Sequence, residues 1–197
     1  MCQTLTETGS RIHGTLNVPC EAVVPCFCIM KRLKLSKRLQ AITELIKKGA
    51  SVADIGTDHG YLPVFLAQAE VYNQIFASDI SAASLDSARK SASDHKVSEE
   101  ITFNVATGLD GITQADVDTI VIAGLGGETI LNILENAPWT KNHDITLILQ
   151  PQSKIDLLCR FLYDNGYIIR QTKSIVDKRK YYTIFLVTGG LQNGKSK

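Results

Sequence analysis

From Leu35 onward the apolar residues recur with two alternating periods. Leu35, Leu39, Ile42, Leu45 and Ile46 fall at helical spacing and Gly49 offers a stop, which predicts a first helix running almost to that glycine. "SVADI" is a short buried strand. "GYLPVFLAQA" then predicts a helix, with Pro63 tolerated in its first turn. "NQIFASDI" is a second strand ending at Asp79, and "SAASLDSARKSASDH" a helix with Ser81 as N-cap. "ITFNVA", "DTIVIAGLGG" and "ITLILQPQ" are further strands. The helix "ETILNILENA" between the last two is stopped by Pro138. "SKIDLLCRFLYDNGY" predicts another helix, N-capped by Ser153 and ended before Gly166. "YIIRQTKSIV" and "YYTIFLVTGG" close the pattern as two strands around a charged turn. Strands alternating with helices predict an α/β, Rossmann-like fold. The expected sheet has seven strands, mostly parallel, with helices on both faces and an antiparallel C-terminal strand. Ligands of such sheets bind at the carboxyl ends of the strands, so the chemistry belongs in the turns that follow them.

The first of those turns reads "VADIGTDHGYLP". A dinucleotide-binding turn has glycines in a G-x-G-x-x-G spacing, which here falls on Gly56, Asp58 and Tyr61. Two of the three positions fail, and a pyrophosphate would sit against Asp58. Asp54 and Asp58 instead suit a cationic ligand that has no phosphates, such as S-adenosylmethionine. Asp79, at the end of the second strand, is placed to accept ribose hydroxyls or, alternatively, to serve the helix that follows. Gly124, Gly126 and Gly127 permit close backbone approach after the fourth strand, unless they only make a tight turn. Gln150 and Gln152 flank Pro151 after the fifth and have amides suited to a nucleobase edge, or they merely end the strand.

Composition narrows the classes. Of 197 residues, 44% are hydrophobic and 21% charged, as in an ordinary globular chain, and no apolar run approaches a membrane span. Net charge is +1, yet the basic residues cluster. Lys31, Arg32, Lys34, Lys37, Arg38, Lys47 and Lys48 face only Glu44 in the first cluster. Arg170, Lys173, Lys178, Arg179 and Lys180 form the second, with Asp177. Brought together, the two segments make a phosphate-binding face; kept apart, they are solvated surface. Four of five cysteines lie in the first 28 residues without the spacing of a metal knuckle, so neither a metal site nor a disulfide framework is expected. The expected compartment is the reducing cytoplasm. Residues 1–29 lack periodicity and precede Met30, and are expected to be an extension outside the domain of residues 30–190. Residues 191–197 are expected to be a polar tail.

"LKLSKRLQAI", "VADIGTDHGYLP", "IAGLGG" and "LILQPQ", in this order and spacing, resemble the bacterial tRNA (adenine-N1)-methyltransferase family that modifies position 22 of tRNA. The resemblance covers Leu33 to Gly190. It implies a class I methyltransferase fold, S-adenosylmethionine as cofactor and tRNA as substrate. By position it implies that Asp54, Gly56 and Gly60 line the methionine part of the cofactor. Asp79 then takes the ribose, Thr107 and Gly108 flank the adenine, and Gly124 adds to the same site. Members often have Asp or Asn where this chain has Thr107. They also continue past the last strand into a helical hairpin, where this sequence has "LQNGKSK". The implied reaction makes the target base cationic, which makes Asp58 the candidate catalytic carboxylate, or else a partner of the cofactor's ammonium. His59 and Gln150 are candidate base-orienting groups. Lys34, Lys37, Arg38, Arg179 and Lys180 are candidate RNA contacts. Two other readings stand beside this one: a non-catalytic RNA- or cofactor-binding remnant and an NAD-dependent oxidoreductase. The failed glycine motif counts against the last.

Overall fold

A computed structural model describes residues 32–190. The expectations for residues 1–29 and 191–197 lie outside them. Seven strands form one sheet: β1 (Ser51–Ile55), β2 (Gln74–Asp79), β3 (Thr102–Val105), β4 (Thr119–Leu125), β5 (Thr146–Pro151), β6 (Tyr167–Asp177) and β7 (Lys180–Gly189). Their spatial order is β3-β2-β1-β4-β5-β7-β6. β1 to β5 pair in parallel, and β7 runs antiparallel to both β5 and β6. Strand order reverses between β1 and β4, which fixes where a ligand crevice opens.

The apolar runs of the central strands feed two cores. In β4, Ile120 and Ile122 point to one face and Val121 to the other; in β5, Leu147 and Leu149 oppose Ile148. Each of these side chains is completely buried, and burying one such residue contributes about 2 kcal/mol. Helices α4 (Gly127–Glu135) and α5 (Ile155–Asp164) cover the first face through Ile130, Leu134, Leu158 and Leu162. Helices α1 (Lys37–Thr43), α2 (Tyr61–Ala67) and α3 (Ala82–Asp94) cover the second through Ile42, Leu62, Leu66 and Ala92.

Two helix boundaries differ from the sequence expectation. α1 is capped by Ser36, whose Oγ accepts from the Leu39 amide at 3.3 Å, but it stops at Thr43. There the Thr43 hydroxyl donates to the Gln40 carbonyl, and the amides of Leu45 and Ile46 bond three residues back to Ile42 and Thr43. Ile46 still reaches the core from this tighter turn, so the helical spacing of apolar residues outlasts the helix. Ser153 does not cap α5 by its side chain. The cap is Lys154, in the left-handed region at φ 50°, because the Ser153 carbonyl accepts the Gly127 amide at the start of α4 at 2.8 Å. The final hairpin turns on Lys178 and Arg179, with φ of 47° and 64°, the double left-handed conformation of a type I′ turn, here without the usual Asn-Gly.

Candidate functional site at the carboxyl edge of the sheet

β1 enters the site as an apolar, buried strand and delivers Asp54, 6% exposed, at its end. Burial pushes the Asp54 carboxyl up to about 6; the neighbouring Thr57 hydroxyl and Arg38 guanidinium oppose the rise, and Asp79 adds to it. The turn that follows is tied to β2 by its backbone. The amides of Gly56 and Thr57 both donate to the Ser78 carbonyl, at 2.8 and 3.1 Å. Asp79 holds the turn from the other side: one carboxylate oxygen accepts the Asp58 amide at 3.2 Å, the other the Ser81 amide at 2.9 Å. Of the two alternatives for Asp79, the structure shows the one in which it serves the helix that follows. It braces the start of α3, and each oxygen keeps a further lone pair for a hydroxyl.

Gly60 follows in the left-handed region at φ 70°, and a Cβ there would lie 2.7 Å from the Ala88 Cβ. Its glycine is dictated by the close approach of α2 to α3. Asp58 itself sits at φ 51° with its side chain 70% exposed, so it projects from the turn toward solvent. His59 Nε2 lies 3.8 Å from the Asp58 carboxylate, and the His59 ring is 5.5 Å from that of Tyr61. These three side chains make an open lip beside the buried Asp54.

Thr107 and Gly108, after β3, line a cleft of about 740 Å³ with Asp110, Asn132, Ile133 and Trp139. Across the strand-order reversal, Gly124 has φ 84°, and the space a Cβ would need is taken by Arg38 Nη1 at 3.2 Å and Gln152 Nε2 at 3.4 Å. Gln150 is completely buried. Its Oε1 accepts from Arg38 Nη1 at 2.7 Å and its Nε2 donates to the Pro151 carbonyl at 2.9 Å. Its amide is thus occupied from both ends, and Gln152 is the glutamine beside Gly124.

The two basic segments do meet. α1 packs on β6, Lys173 pairs with Glu44, and the Arg38 amide donates to Asp177 at 3.3 Å. Lys34, Lys37, Arg179 and Lys180 are exposed around this junction. Arg38 is not on that surface. It is half-buried, points at Gln150, and its guanidinium carbon stands 5.8 Å from the centre of the Tyr182 ring. Its inward course was encoded in the sequence, since Arg38, Ala41, Ile42 and Leu45 share one helical face. Counting charge along the chain passes over that signal. Among the described residues, no group of three or more His, Cys, Asp and Glu side chains is arranged to hold a metal, and no helix is long and apolar enough to cross a membrane.

A family model for a methyltransferase domain matches residues 35–185. The tRNA (adenine(22)-N(1))-methyltransferase of Bacillus subtilis is 32% identical over 161 residues, covering 82% of this chain and 68% of that protein. A Streptococcus agalactiae protein of the NADB-Rossmann superfamily superposes with a TM-score of 0.76 at 37% identity, covering 81% of this chain and 71% of its own. M. capricolum TrmK, solved in complex with S-adenosyl-homocysteine, superposes with a TM-score of 0.68 at 29% identity, covering 78% and 68% of the two chains. With the acidic first turn, the Asp79 carboxylate and the strand-order reversal on the same sheet edge, this chain belongs to the tRNA (adenine(22)-N1)-methyltransferase family.

Proposed function

We propose that this protein transfers a methyl group from S-adenosylmethionine to N1 of an adenine in tRNA, at position 22 in the D-arm region, and does so in the cytoplasm. The observation that carries the reading is the first turn. It places a buried carboxylate, Asp54, before an exposed one, Asp58, whose amide Asp79 holds. That donor set fits S-adenosylmethionine and repels a pyrophosphate. Asp54 faces the cationic amino-acid end, Asp79 keeps lone pairs for the ribose hydroxyls, and the turn at Gly56 and Gly60 lines the path between them. Thr107 and Gly108 flank the adenine from the cleft after β3. Gly124 closes the opposite side.

The cofactor supplies an electrophilic methyl group; the protein supplies position and charge. Adenine N1 carries a free lone pair and needs no base to deprotonate it, so alignment is the main contribution. N1 is engaged when the base is paired, so the target adenine enters unpaired or flipped out. The product base is a cation. Asp58, at the open lip, stabilises that developing charge. His59 and Tyr61 offer ring faces beside it to orient the base. Gln150, with its amide occupied, acts through the group it holds rather than on the base itself. Lys34, Lys37, Arg179 and Lys180 contact backbone phosphates along the α1–β6 junction.

Incorporation of labelled methyl into unmodified tRNA tests the proposal. Incorporation that disappears when the adenine at position 22 is replaced is the expected result. Methylation that persists on the replaced tRNA, or none at all despite S-adenosylhomocysteine binding, would refute it.

A further inference from the structure

The sheet is not flush at its carboxyl edge. β5 pairs with β7 from Thr146 and Thr188 as far as Leu149 and Phe185. β6 and β7 go on pairing to Asp177 and Lys180. Because β7 runs antiparallel to β5, this overhang lies toward the carboxyl end of β5, where the site opens. Residues 180–184, at about 3.3 Å each, carry the hairpin roughly 15 Å past the last β5 pair. Its two faces differ. Ile184 and Leu186 belong to the core under α1, Phe185 and Val187 to the core under α4 and α5. By alternation Tyr182 points to the α1 side, where the Arg38 guanidinium carbon stands 5.8 Å from its ring centre, and Tyr181 points to the opposite side. Arg38 donates to Gln150 at 2.7 Å, so Tyr182 is the point at which the hairpin is fastened to the site. Tyr181 is 86% exposed, and Val176, opposite it on β6, is 49% exposed. Among the described residues no side-chain hydrogen bond or ring contact engages Tyr181. The tip beside it is Lys178 and Arg179, both left-handed where Asn-Gly would be free of strain. The chain thus keeps two strained cations, and Lys180 after them, next to an aromatic ring that packs on nothing.

We propose that Tyr181 is a stacking platform for a base of the RNA substrate, the base adjacent to the target adenine. This inference rests on tRNA being the substrate. When the adenine leaves its stack to reach the methyl group, its neighbour loses a stacked face. A Tyr ring replaces that face for any base, and the flanking cations hold the phosphates on either side of it. Charge favours RNA over a protein partner here. Lys178, Arg179 and Lys180 lead directly to the ring, and the one carboxylate of the hairpin, Asp177, already accepts the Arg38 amide. Tyr181 touches a base that does not react, so it is a positioning residue. Its contribution falls on RNA affinity and on extrusion of the adenine, and leaves the cofactor untouched.

The test compares Tyr181→Ala, Tyr181→Phe and wild type, each as the full chain, in titrations with unmodified tRNA and with S-adenosylhomocysteine. Tyr181→Ala is expected to weaken tRNA binding about tenfold. Its S-adenosylhomocysteine affinity, its melting temperature and the salt slope of its tRNA binding are expected to stay at the wild-type values, since no charge and no buried contact is lost. Tyr181→Phe, which keeps the ring, is expected to recover most of the lost affinity. 2-Aminopurine, a fluorescent adenine analogue quenched by stacking, reports the contact directly when placed next to position 22. It is expected to be dimmer in the saturated wild-type complex than in the saturated Tyr181→Ala complex. Undiminished tRNA affinity in Tyr181→Ala, a loss that Tyr181→Phe shares in full, or equal brightness in the two complexes overturns the inference. Self-association lost in Tyr181→Ala with tRNA affinity intact would overturn it too, and would assign the ring to a second copy of the chain. A wild-type chain that binds S-adenosylhomocysteine but no tRNA overturns the substrate reading on which the inference stands.

Discussion

Asp54 sets stability against binding. Its carboxyl is raised from 3.8 to about 6, chiefly by burial. The folded state thus holds a proton more tightly than the unfolded chain, and stability falls as pH rises through the interval from 3.8 to about 6. Above that interval the ionised carboxylate costs the empty fold about 3 kcal/mol, from the pKa difference at 1.36 kcal/mol per unit. At pH 4.5 the same calculation leaves about 1 kcal/mol. Asp54→Asn keeps the shape and removes the charge. The ligand-free variant should therefore melt higher than wild type at pH 7.5, by about 6 °C, and the gain should shrink to roughly a third at pH 4.5. Its affinity for S-adenosylhomocysteine should move the other way, down about tenfold or more at pH 7.5, because the ligand's ammonium loses its carboxylate. Paired melting curves at the two pH values and one titration decide the matter. A stability gain of equal size at both pH values would show that a contact, and not the buried charge, was removed. Unchanged affinity would place the ammonium elsewhere.

Asp58→Ala should lower turnover about tenfold while S-adenosylhomocysteine binding changes little; loss of binding in a titration would move Asp58 from the base to the cofactor. Gly60→Ala should destabilise the protein by about 2 kcal/mol or more, seen as a lower melting temperature, since Ala at φ 70° is strained and its Cβ would meet Ala88 at 2.7 Å. A melting temperature within a degree of wild type would show that α2 and α3 separate easily. Affinity for tRNA should fall with salt along a log–log slope of about −3 if four side chains each neutralise a phosphate. Replacing Arg179 and Lys180 by alanine should flatten that slope by about 1.5, and an unaltered slope would remove the hairpin from the interface.

The sequence was most informative where one physical cause dominates. β4 and β5 are buried on both faces, so their apolar runs admit no other assignment, and the alternation around them dictates the parallel sheet. The first turn was legible because charge argues directly against a phosphate ligand. Positions where two causes compete were harder to read. Apolar spacing continues past Thr43 although the helix does not, because a tighter turn also carries Ile46 inward. Ser153 has the composition of a cap, but α4 claims its carbonyl. Gln150 reads as a base-reading amide until its neighbours in space are known, since Arg38 lies 112 residues away in the chain. By the same separation, Arg38 reads along the chain as one of a run of surface cations. Charge clustering is visible along the chain, while the direction of one side chain within the cluster depends on partners from β5 and β7.

The docking of α1 on β6 also orders events in time. Arg38 and Asp177 are separated by 139 residues, so the first helix and the last hairpin of the domain meet only after nearly all of it has been synthesised. The central strands pair across shorter separations. The five parallel strands thus precede in the chain the hairpin that anchors Arg38 and makes the basic surface continuous. The junction of the two basic segments is therefore a property of the completed sheet and of neither segment alone.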